Sequence, residues 1–135
     1  MFDRFLYNNF ILTYHRIVEN KNQINSEINS ISVTTETFEG QIKLLKKKFN
    51  IVSIDEILKI DNKFKNNLAI TFDDGYKDNL TNAVPILEKY DVPATIYVTT
   101  RFLENKWDMW WYEIEKIIWE KEKLNFNFLN KEYYF

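Results

Sequence analysis

Residues 68–72 read Leu-Ala-Ile-Thr-Phe, an apolar run broken by a single hydroxyl, and they stop abruptly at Asp73-Asp74-Gly75. A strand with one wet face alternates apolar and polar residues. A run that is apolar throughout needs cover on both faces, as a strand has in a parallel sheet flanked by helices. The surrounding sequence supplies those helices. Residues 34–49 are amphipathic, with Phe38, Ile42, Leu45 and Phe49 recurring at helical spacing. Thr34 or Thr35 can cap the start, and Lys46, Lys47 and Lys48 suit the negative end of the helix dipole. Residues 50–54 predict a short strand, and Ser53 with Glu56 has the capping-box spacing that opens a helix of about two turns. Residues 79–90 predict a helix with Leu80, Ala83, Val84 and Leu87 on one stripe, kinked or restarted at Pro85.

Residues 10–17 have strand propensity, and 18–32 are polar and rich in Asn and Ser, a loop. Residues 94–100 predict the next strand. Residues 108–120 predict a helix with Trp110, Ile114, Ile117 and Ile118 on its apolar side, and Trp110 is expected in the core. Trp107 and Trp111 are less constrained. Residues 123–135 predict a strand, a turn near Asn130–Lys131 and the start of a return strand. Strands alternating with helices make the fold class α/β, a parallel sheet or barrel.

Composition narrows the function. The chain has 135 residues, 45% of them hydrophobic and 17% aromatic, enough to bury a core. A net charge of −2 with interspersed signs gives no basic face, so no nucleic-acid partner is expected. With no cysteine there is no disulfide and no thiolate metal site, and His15 is the one histidine. No apolar run approaches the ~20 residues of a membrane span. The first residues lack a basic stretch followed by a continuous apolar one, so no signal peptide is expected and a cytoplasmic location is the default.

Asp73 and Asp74 stand at the carboxyl end of the apolar run, where active sites of α/β folds lie. Adjacent carboxylates repel. A divalent cation bound by one of them offsets that cost, and the other can then act as a general base on water. The bland alternative is structural, because Asp-Gly is a common turn and Asp a common helix cap. Other acidic motifs fit poorly. A calcium loop needs oxygen ligands at alternating positions and a later Glu, which Asp-Asp-Gly-Tyr-Lys-Asp-Asn does not offer. A D-x-D-G phosphatase motif would need Asp where Phe72 stands.

The wider string settles on one resemblance. Ala-Ile-Thr-Phe-Asp-Asp-Gly-Tyr (69–76), followed by a helix and then Ile-Leu-Glu-Lys-Tyr-Asp-Val-Pro-Ala-Thr-Ile-Tyr-Val-Thr-Thr (86–100), resembles the polysaccharide deacetylases, the NodB-homology carbohydrate esterases. So does the upstream order of Leu-Thr-Tyr-His-Arg-Ile (12–17) and the segment from Phe38 to Leu58. The resemblance covers residues from about 10 to about 120. It implies the N-terminal half of a distorted (β/α) barrel, with residues 1–135 as the N-terminal portion of the domain. It also implies removal of acetyl groups from N-acetylated, sometimes O-acetylated, polysaccharide or oligosaccharide with a divalent metal, commonly zinc. By the same resemblance Asp73 is the catalytic base and Asp74 a metal ligand. Tyr14 and His15 match the family's first-strand pair and would face substrate.

One departure limits this. The family's metal site takes two more histidines in an H-x-x-x-H pattern, and nothing after His15 supplies them. One carboxylate is not a zinc site, since zinc takes three protein ligands and a water. The three aromatics that close the sequence and the open sheet edge of half a barrel suggest a truncated domain. The expectation is a chain inactive alone, completed by further sequence or by a second chain. The competing readings are a non-catalytic, glycan-binding remnant and an unrelated α/β domain with a structural Asp-Asp turn.

Overall fold

The computed structural model describes residues 9–20, 31–59, 66–103, 110, 111, 114, 117, 125–129 and 131–134. The chain divides into two compact units, Met1–Thr99 and Thr100–Phe135.

The first unit is built on the strand expected from the apolar run. Strand β5 (Asn67–Phe72) is buried at all six positions. Along one edge it pairs in parallel with β1 (Asn9–Tyr14), from Asn9 opposite Asn67 to Tyr14 opposite Phe72. The other edge is shared. Strand β4 (Asn50–Ile51) pairs with the start of β5, and β6 (Thr95–Ile96) with its end. This is the parallel sheet that the apolar run called for.

Register is pinned by polar side chains at both ends of the pair. The fully buried Asn67 donates to Asn9 Oδ1 at 3.0 Å and accepts from Asn50 Nδ2 at 2.9 Å, an amide ladder over three strands. At the far end the Thr13 and Thr71 hydroxyls lie 2.9 Å apart. A slip by one residue would send these groups to the opposite face.

Helix α1 (Thr35–Lys48) is capped by Thr34, whose hydroxyl accepts the Thr37 amide at 3.2 Å. Phe38 and Ile42 are fully buried, and Leu45 and Phe49 half-buried, as the spacing required. Each such buried side chain contributes about 1.5–3 kcal/mol. Phe38 meets Tyr14 edge-on at 5.0 Å and Phe72 at 5.9 Å, and Tyr14 stacks on Phe72 at 5.6 Å. Helix α2 (Ile54–Ile57) opens on the expected capping box of Ser53 and Glu56.

Several details depart from the sequence reading. The strand expected over 94–100 is paired only at Thr95–Ile96, and the helix expected to run about two turns after Ser53 is the single turn Ile54–Ile57. The strand expected over 10–17 breaks at His15, because β5 turns away at Asp73 and leaves nothing beyond Tyr14 to pair with. The chain resumes as β2 (Arg16–Val18), in parallel with β3 (Ser32–Thr34), a strand that begins at the last residue of the stretch read as loop and ends at the cap of α1. The helix expected over 79–90 is a π-helical turn (Asn79–Ala83) followed by α3 (Val84–Lys89), with Pro85 in the first turn, so the predicted restart is present. A π turn is wider than an α turn. Asn79, Ala83 and Leu87 therefore face inward, and Leu80, assigned to the buried stripe, is 66% exposed.

Helices α1 and α3 are tied through Glu39. Its carboxylate accepts from Lys89 Nζ at 2.8 Å and from the Tyr90 hydroxyl, with Lys43 at 3.4 Å, and Lys46 Nζ donates to the Tyr90 carbonyl.

The second unit holds α4 (Thr100–Leu103) and the antiparallel hairpin of β7 (Asn125–Phe128) and β8 (Lys131–Tyr134), the strand and return strand read from sequence. Residues 110, 111, 114 and 117 are helical. Trp110, expected in the core, is 54% exposed, and Ile114 and Ile117 are exposed as well, since a unit this short has little interior. Trp107, Ile118 and Asn130 lie outside the described residues. No helix among the described residues is long and apolar enough to cross a membrane.

Candidate active site

The site grows from the end of β5. The Asp73 amide donates to the Tyr14 carbonyl at 2.9 Å, one bond beyond the last paired residues. The chain then reverses through two residues in the left-handed region, Asp74 at φ 69° and Gly75 at φ 66°. Gly75 is required on two counts. A Cβ there would lie 3.0 and 3.1 Å from the Val98 methyls and 3.2 Å from the Val98 Cα, and the φ itself disfavours a side chain. Asp74 is the less expected member. Aspartate tolerates this region better than most residues, but a non-glycine residue there marks a constraint worth explaining.

Both carboxylates are half-buried. Among the described residues, no ion pair neutralises either. The geometry thus presents two adjacent acidic groups, unspent on structure, at the carboxyl end of the central strand.

Of the other expected site residues, His15 follows β1 directly and is half-buried beside the break in the strand. Its carbonyl accepts from Asn79 Nδ2 at 2.9 Å. Tyr14 lies inside. It is 7% exposed, packed on Phe38 and Phe72, and its hydroxyl donates to Gln41 Oε1 at 2.9 Å. Burial pushes its phenol up to about 12. The substrate contact expected of Tyr14 thus meets a side chain that is already enclosed and bonded.

Sequence reasoning passed over Arg16, Asp78, Asn79 and Asn82. The Arg16 guanidinium donates to Asp78 Oδ2 from Nε at 2.9 Å and Nη2 at 2.8 Å, and sits 5.1 Å from the Tyr76 ring centroid. Asp78 Oδ1 accepts the Ile17 amide at 3.2 Å, and Asn82 Nδ2 donates to the Ile17 carbonyl at 2.7 Å. These contacts join residues sixty or more apart, so no local pattern announces them.

Among the described residues, no group of three or more His, Cys, Asp or Glu comes together. Zinc takes three protein ligands, and Asp73, Asp74 and His15 are not drawn together into such a set. A cavity of about 610 Å³ lies between α3, β4 and β6, lined by Ile51, Leu87, Val92 and Ile96 among others, and its lining includes neither aspartate.

The family pattern described as polysaccharide deacetylase matches residues 61–119, a span that holds both aspartates. A poly-beta-1,6-N-acetyl-D-glucosamine N-deacetylase of Staphylococcus aureus is 38% identical over 102 residues, covering 66% of this chain and 35% of that protein. The chain therefore spans about a third of the length of this relative. Among solved structures, the Streptococcus pyogenes deacetylase PplD in complex with acetate superposes with a TM-score of 0.56 at 28% identity, over 70% of this chain and 44% of that one. A de-N-acetylase from Aggregatibacter actinomycetemcomitans gives a TM-score of 0.58 over 92% of this chain and 44% of that one. At 19% identity it speaks for the fold alone. By motif, by sequence and by backbone, the chain is similar to the polysaccharide deacetylases.

Proposed function

We propose that this chain supplies the carboxylate wall of a deacetylase site that hydrolyses N-acetyl groups on a carbohydrate polymer. The observation that carries the reading is the pair Asp73–Asp74, half-buried and free of ion pairs among the described residues, turned out at the end of β5 by a left-handed backbone. In this reading Asp73 accepts the proton of the attacking water. Asp74 would give one protein oxygen to a divalent cation, commonly zinc. An amide is a poor electrophile, and a Lewis acid is the chemistry such an ion supplies. The remaining ligands, a histidine pair, come from outside these residues. His15 flanks the pair on the substrate side, and Tyr14 supports the strand end from within. The parallel sheet is read as part of a distorted (β/α) barrel.

The relatives support the substrate class. Their names describe N-deacetylation of a poly-N-acetylglucosamine and a complex with acetate, the product of such a reaction. The incomplete ligand set favours one rival, a non-catalytic remnant that binds glycan or nothing.

The test is acetate release from an N-acetylglucosamine oligomer by the chain joined to a segment carrying the histidine pair. Loss of release in Asp73→Asn and Asp74→Asn is expected, and turnover that survives both changes sinks the assignment. For this chain by itself, neither stoichiometric zinc nor turnover is expected.

A further inference from the structure

We infer that Asp78, Asn79 and Asn82 act as a positioning clamp that fixes the His15 peptide against the Asp73–Asp74 turn. This rests on the reading that the two aspartates carry the chemistry. Beyond Tyr14, the backbone has left the β1–β5 ladder. Its polar groups are taken up in turn by the segment that bears the carboxylates. The Tyr14 carbonyl accepts from the Asp73 amide, and the His15 carbonyl from the Asn79 side chain. The Ile17 amide donates to Asp78, and the Ile17 carbonyl accepts from Asn82. Both peptides that flank His15 are thereby held by residues 73–82.

Two features show that these side chains are not serving their own helix. Asp78 lies in the helical turn that opens into the π turn, yet its carboxylate makes no bond to that turn's own amides. Its carboxylate is spent on Arg16 and on the Ile17 amide instead. Asn79 is 1% exposed, and with its amide aimed at the His15 carbonyl, its Oδ1 is left buried without a partner among the described residues. An orphaned buried acceptor lowers stability. The arrangement thus forgoes a satisfied oxygen, and gains a link between the lone histidine and the acidic turn. A π turn at this point agrees, since such turns occur often at functional sites.

The chain has one histidine, so its imidazole signals in a proton–carbon NMR spectrum report on His15 alone. In the full chain, Asp78→Ala is expected to move those signals together with the Asp73 and Gly75 amide signals. Asp78→Asn, which keeps an oxygen for the Ile17 amide, is expected to bring them part of the way back. Glu39→Ala is the control. It cuts the ties to Lys89 and Tyr90, and is expected to lower the melting temperature while leaving the His15 signals in place. A folded Asp78→Ala protein with unmoved His15 signals overturns the clamp, as does a Glu39→Ala protein that moves them equally. Should Asp78→Ala not fold, Asn82→Ala removes a single clamp bond and carries the same test. Neither metal nor substrate enters the measurement, so its failure and a failure of the deacetylase reading are distinguishable.

Discussion

The carbonyl of Tyr14 accepts the amide of Asp73, so the residue that closes the aromatic core also holds the first residue of the acidic turn. The Tyr14 phenol, raised by burial to about 12, stays protonated in the folded protein where an unfolded chain would ionise near 10. The stabilisation is fully present below pH 10 and is lost as pH rises toward about 12. Tyr14→Phe is expected to flatten melting temperature against pH over that window. Near neutral pH it should lose about 0.5–1.5 kcal/mol with the bond to Gln41. Unchanged alkaline sensitivity in the variant would contradict the burial argument.

The backbone at Asp74 suits glycine better than aspartate. Asp74→Gly is expected to leave stability unchanged or to raise it by about 1 kcal/mol, while removing the proposed ligand. Gly75→Ala goes the other way. The left-handed φ alone costs about 1–2 kcal/mol, and the Val98 contacts add to it. Val98→Ala should relieve only part of the loss, since the Val98 Cα stays 3.2 Å from the new Cβ position. Chemical denaturation of the three variants orders these effects.

Acid tests the tie between α1 and α3. The bond from Lys89, then that from Tyr90, holds the Glu39 carboxyl down at about 2, against an ordinary value of 4.5. A lowered carboxyl stabilises above the ordinary value and loses that contribution as pH falls through the folded one. Glu39→Gln is therefore expected to reduce the decline of stability between pH 4.5 and about 2. As the cluster is exposed, salt should weaken the difference. Thermal melts along a pH series read both.

The amide ladder is tested at its centre. Asn67→Leu keeps an apolar volume in a fully buried position but leaves Asn9 and Asn50 without their partner. A loss of about 1–3 kcal/mol is expected. Hydrogen exchange should quicken first in β1 and β4 if the ladder pins the register.

How much of this could be read in advance depended on range. Phe38 and Ile42 sit on one helical stripe, and Ser53 faces Glu56 three residues on. Such relations are local, and spacing reveals them. The uninterrupted burial of β5 was legible because apolarity on both faces has one structural explanation. Leu80 was misplaced because the period changes at the π turn, which no hydrophobic spacing signals. Trp110 was placed inside on its chemistry, where the unit around it has too little interior to cover it. In the site, Asp73 and Asp74 stood out by motif. The Arg16–Asp78 pair did not, because its meaning lies in a contact between distant strands and helices.

The pairing of β1 with β5 also sets an order of assembly. Asn9 meets a partner 58 residues further along the chain, so the first strand waits unpaired while α1 and its caps form from neighbours alone. Closing so long a loop is slow relative to helix formation. The bond from Asp73 to Tyr14 is the next one after the final rung, so the acidic turn is not added to a finished sheet. It is set in the same step that brings the two ends together, and a chain that fails to close this sheet has no site to complete.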